Sequence, residues 1–169
     1  PTRRSSDLGW NYALNLKGKK VALSDVLEVL PANWLQAWKG YHLQGLLSCL
    51  VSVRGNTVTQ TEMSADCLLD KGFFQPVEST VALKSVRMEA HYQTQYPEWE
   101  ANSSLNIRSF SANLVSGRIL GQANASNFSH PHLSGTLQAS LQLADLKELM
   151  PQIAPNLASI VTFVRLLMV

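Results

Sequence analysis

The residues able to do chemistry lie apart from one another. His130 and His132 flank Pro131, a spacing at which two imidazoles could share a metal ion, yet no Cys, Asp or Glu stands at ligand spacing beside them. His42 and His91 are isolated. Serines are abundant, but none sits in a Gly-x-Ser-x-Gly turn, and no glycine-rich stretch has the spacing that cradles a phosphate. Cys49 and Cys67 each fall within an apparent strand. A tight hairpin at Gly55-Asn56 would not set them opposite each other, so they read as two small buried apolar residues rather than a disulfide. The chain therefore reads as a non-enzyme, with no metal and no cofactor. A formal charge of +2 without a basic stripe argues against nucleic acid as a partner. No apolar run approaches the roughly 18 residues of a membrane-spanning helix.

The dominant signal is alternation with period two, which places successive side chains on opposite faces of a strand. In the first such stretch Trp10, Tyr12, Leu14 and Leu16 alternate with Asn11, Ala13 and Asn15. In a second, Tyr41, Leu43, Gly45, Leu47, Cys49, Val51 and Val53 alternate with residues that include His42, Gln44, Ser48 and Ser52. In a third, Leu133, Gly135, Leu137, Ala139, Leu141 and Leu143 alternate with Ser134, Thr136, Gln138, Ser140 and Gln142. Turn residues at Gly55-Asn56, Asp70-Lys71-Gly72, Tyr96-Pro97-Glu98, Ser116-Gly117 and Ser129–His132 divide the rest. About eight strands follow, near 10–17, 41–54, 57–68, 72–75, 80–94, 103–115, 118–128 and 132–143, joined as an antiparallel meander.

Two short helices break this pattern, and they match. Val21–Pro31 aligns without gaps on Leu141–Pro151, sharing Asp25 with Asp145, Glu28 with Glu148, and the closing proline. Each aspartate is placed to cap a helix, the glutamate three residues later to complete a capping box, and the proline to end it. Two copies suggest an internal repeat. On that logic residues 152–159 form a helical turn or two and 161–169 an extended strand, whereas the local pattern of 157–169 reads as an apolar helix behind an Asn156 cap. Trp34 and Trp38, four residues apart, read as a plug at the end of the sheet, or else as a lipid-facing or membrane-proximal lid.

The order of these pieces resembles the AsmA-like C-terminal region of the Bacteroidota type, related to TamB-like envelope proteins. The resemblance rests on Gly45-Leu46-Leu47, on Ala65-Asp66 followed by Asp70–Phe73, on Asn127–Gly135, and on Asp145–Pro151, and it spans residues 12–151. It departs in the hairpin, where Asp70-Lys71-Gly72-Phe73 stands in place of Asp-Gly-x-Phe. It implies a non-enzymatic periplasmic protein of Gram-negative cells, anchored in the inner membrane by a helix upstream of the visible chain. Its long curved antiparallel sheet would be open as a groove, with short helices at its ends. Phospholipid or another envelope lipid would be the ligand, and outer-membrane assembly proteins the partners. The candidate groove-lining residues are Trp10, Tyr12, Leu14, Leu16, Tyr41, Leu43, Leu47, Val51, Val53, Leu133, Leu137, Leu141 and Leu143.

The apolar faces agree with that expectation, because two helices of about two turns each are too small to cover so large a sheet. The alternative is a β-sandwich binding module of the cell surface, adhesin-like or glycan-binding. A slice of an outer-membrane barrel fits less well, given the helices and the unequal strands. Residues 1–8 resemble the translation of a sequencing-adaptor oligonucleotide and are set apart from the segment 9–151. Residues 152–169 read as the start of a further, truncated repeat.

Overall fold

A computed structural model describes residues 9–29, 36, 39–56 and 60–140. They form a single antiparallel sheet in which seven strands lie in chain order, open at both edges. The strands are β1 (Asn11–Ala22), β2 (Tyr41–Asn56), β3 (Thr61–Pro76), β4 (Leu83–Tyr96), β5 (Ser104–Asn113), β6 (Arg118–Ser126) and β7 (His132–Ser140), with one helix, α1 (Leu23–Val29), after β1. The mainly-β antiparallel meander is the architecture that the alternation and turns implied, and its open sheet is what the resemblance implied. The second copy of the helix and the C-terminal strand expected at 161–169 lie outside the described residues, as do Trp34 and Trp38.

Three local expectations are corrected. Asp70-Lys71-Gly72 is not a turn, and the two strands expected on either side of it are one, β3. Lys71 takes a φ of 53° and is absorbed as a bulge between Leu69 and Gly72. Asp25 does not cap α1, because the helix begins at Leu23. The carboxylate sits in the first turn, where it still faces the positive end of the helix dipole, and it accepts a hydrogen bond from Ser24 Oγ at 3.1 Å. The β2–β3 turn also lies later than Gly55-Asn56: Asn56 N–H donates to the carbonyl of Gln60 at 2.8 Å, and Gly55 pairs with Thr61.

That shift of the turn decides the cysteines. It sets Cys49 directly opposite Cys67, with Cα atoms 4.3 Å apart, and the two are joined as a disulfide. The expectation of free thiols assumed the tighter turn. A bond closing a sequence separation of 18 residues should contribute about 3 kcal/mol by restricting the unfolded chain. Cys49→Ser/Cys67→Ser is therefore expected to unfold at clearly lower urea. Equal midpoints for the double variant and the parent would show that the link carries no stability.

The core sits at one end of the sheet, where Leu69, Val86 and Ala112 are buried and Leu23 of α1 packs over them with Leu47, Phe74, Leu83, Met88 and Phe110. Close approach of the backbones there depends on two glycines. A Cβ on Gly72 would stand 2.8 Å from Val86 Cβ, and one on Gly45, at φ 150°, would stand 2.9 Å from Leu69 Cδ1. At the other end, the loop after β4 folds back. Thr94 Oγ1 donates to the carbonyl of Trp99 at 2.6 Å and accepts from Ser103 Oγ at 2.9 Å, so both buried hydroxyls are satisfied.

Candidate functional site

Residues paired across an antiparallel sheet share a face, so the registers assign every strand side chain to one side or the other. One face carries Leu14 and Leu16 of β1, Val51 and Val53 of β2, and Met63 and Ala65 of β3. It continues through Ala90 and Tyr92 of β4, Leu105 and Ile107 of β5, Ala123 and Ala125 of β6, and Leu133 and Gly135 of β7. This face holds no charged strand residue. Every Lys, Arg, Asp and Glu of the seven strands falls on the other face.

Bulges keep this segregation where strict alternation would break it. Between Gly18 and Val21, β1 holds one residue more than β2 does between Cys49 and Leu47, so Lys19 and Lys20 both oppose Ser48 on the polar side. Asp70 and Lys71 do the same in β3, and Arg108 with Ser109 in β5. Each extra residue lets its strand return to the alternation that keeps charged side chains on the polar side.

Large apolar side chains stay open to solvent along this face. Leu14 is 51%, Leu16 55% and Leu133 64% exposed, and Tyr12, Val21 and Tyr41 are also exposed. Among the described residues, α1 covers the face at the end marked by Leu69. The loop around Trp99 covers it at the other, where Tyr92 lies against Phe128 with ring centroids 6.2 Å apart. The Cys49–Cys67 disulfide lies midway between these ends, in a row with Gly18, Ala90, Ile107, Ala123 and Gly135. The result is an apolar band crossing all seven strands at right angles to them, made mostly of small residues along its middle row, Ile107 excepted, and flanked by larger side chains.

Of the residues singled out in the sequence, Tyr12, Leu14, Leu16, Tyr41, Leu43, Leu47, Val51 and Val53 fall on this face of adjoining strands. Leu133 and Leu137 lie on the same face at the far edge. Five strand spacings separate β2 from β7, about 24 Å. Trp10 precedes β1 and is 78% exposed. Leu141 and Leu143 lie outside the described residues. The sequence reading missed the middle of the band, on β3 to β6, because its residues are small or follow bulges. The apolar spacing of Leu105, Ile107 and Phe110, with Arg108 and Ser109 between, was the available signal.

The polar face gathers the titratable groups. Asp66 Oδ1 lies 2.9 Å from His91 Nδ1 and 3.2 Å from an Arg108 guanidinium nitrogen. Among the described residues no three His, Cys, Asp or Glu side chains converge on a point that could hold a metal ion, and no helix is long and apolar enough to cross a membrane. No protein-family model, no curated protein and no solved structure matches the chain.

Proposed function

We propose that this chain is a non-enzymatic segment of an AsmA-like envelope protein, and that its apolar band carries the acyl chains of a phospholipid or another envelope lipid. The observation behind this reading is the uncharged, solvent-open face spanning the sheet. Six strand spacings give a path of about 29 Å, comparable to the roughly 30 Å hydrocarbon core of a bilayer. Each methylene taken from water onto such a face contributes ~0.8 kcal/mol, so one acyl chain would offset the exposure of the leucines. The band runs across the strands, and a lipid could move along it without crossing a charge.

The disulfide supports a compartment outside the cytosol, since structural disulfides form and persist in oxidising surroundings such as the periplasm. In this reading an upstream helix holds the protein in the inner membrane, and outer-membrane assembly proteins are its partners. A surface β-sandwich would bury the same face against a second sheet, whereas the described residues form one.

The test is to purify the protein from bacterial envelopes and extract it for lipid mass spectrometry. Phospholipid in near-stoichiometric amount is expected, displaceable by a fluorescent fatty acid. A lipid-free preparation that also fails to take up the fluorescent probe would end the proposal. Alanine at His42, His91 or His132 is expected to leave the bound lipid unchanged, because all three lie on the opposite face, and so is alanine at His130, in the loop between β6 and β7.

A further inference from the structure

The polar face contains a recess of about 490 Å³ beside the edge strand, with Leu50, Leu68, Asp66, Glu89 and Arg108 in its lining and Lys17, Lys19 and Lys20 on the β1 side. A volume of this order suits a small ligand. The rim is built by the β1 bulge. Plain alternation would send Lys20 to the apolar face, but the extra residue turns it to the same side as Lys17 and Lys19. Lys20 holds a φ of 50°, a region that side chains other than glycine rarely adopt, and its N–H is fixed to Ser48 Oγ at 3.0 Å.

The charges around the recess are unequally matched. Asp66 is engaged by both His91 and Arg108, and Glu89 by Arg87 at 3.5 Å. Among the described residues none of the three lysines has a carboxylate partner. Lysines placed to guard a sheet edge need only be charged and could point to either side. These three all line one concave spot that also exposes Leu50, 43% open to solvent.

We infer that this recess binds a phosphomonoester. The dianionic phosphate would sit among the ammonium groups of Lys17, Lys19 and Lys20, and its organic part would lie against Leu50 and Leu68. The site is on the opposite side of the sheet from the apolar band and does not depend on it.

Titration of the whole protein with glycerol phosphate, followed by amide resonances, tests the assignment for a free ligand. Phosphatidylcholine vesicles with and without phosphatidic acid test it for a headgroup. Saturable shifts at Lys19, Lys20 and Ser48, or binding only to the phosphatidic-acid vesicles, support the site and identify its source. Lys19→Gln/Lys20→Gln should weaken binding about tenfold, whereas Lys71→Gln/Lys84→Gln, elsewhere on the same face, should change it less than about twofold. Lys17→Gln gives a milder second variant, expected to weaken binding about threefold, should the double change disturb β1. Equal losses from the two lysine pairs would mean a general field rather than a site. Equal binding of an acidic peptide would point to a protein partner instead. Either result overturns the assignment, as does the absence of saturable binding to both probes.

Discussion

Val51→Asp should strip lipid from the protein while leaving the sheet folded. Val51 lies in the band between Leu16 and Ala65 and is only half-buried, so in the lipid-free protein the new carboxylate reaches water at little cost. Covering it with an acyl chain would bury a charge with no partner on that face. Even a few kcal/mol of that penalty corresponds to a loss of roughly 30- to 150-fold in affinity. Leu137→Asp, near the far edge, should act in the same way if the band is continuous, whereas Ser52→Asp, on the opposite face, should retain lipid. Lipid retained by both apolar-face variants, measured by mass spectrometry on folded protein, would rule out the apolar band as the lipid path.

The largest loss of stability is expected from Leu69→Ala. Leu69 is 3% exposed, pairs with Leu47 and Met88 on its two sides, and lies under α1 in the buried cluster with Val86 and Ala112. Truncating a leucine in such a place costs about 2–5 kcal/mol, or a fall of about 5–15 °C in Tm for a chain of this size. Leu133→Ala, at 64% exposure, should change Tm by little more than a degree. Similar losses for the two would mean that the open leucines are covered in solution, and thermal denaturation with and without added lipid would show by what.

The legible part of this fold was the alternation. Leu14, Leu16, Val51, Val53, Leu133 and Leu137 share a face because period two survives from strand to strand, and that was readable from residue types alone. What escaped reading were the irregular positions. An αL residue such as Lys71 looks locally like a turn, and only the pairing of both flanks with β4 shows that the chain runs straight on. The Cys49–Cys67 pairing depended on the position of one turn, where a shift of a residue or two in loop length changes every cross-strand partner. The centre of the band was invisible for a different reason. Ala65, Ala90 and Ala123 carry little hydrophobic signal, and that they share a face emerges only from the registers of strands that carry bulges.

Because each strand pairs only with its neighbours in the chain, the sheet is put together like a zip fastener. No strand waits for a distant partner, so loop closure stays cheap at every step and assembly can proceed hairpin by hairpin. Its stability should behave as a chain of nearest-neighbour couplings rather than as one all-or-none unit. Amide exchange should then be slowest in β3 and β4, next to Leu69 and Val86, and quicken step by step towards β1 and β7. The same arrangement leaves the architecture free to vary in length. Adding or removing a hairpin at an edge alters one interface and leaves every other pairing, and the direction of the apolar band, as it was.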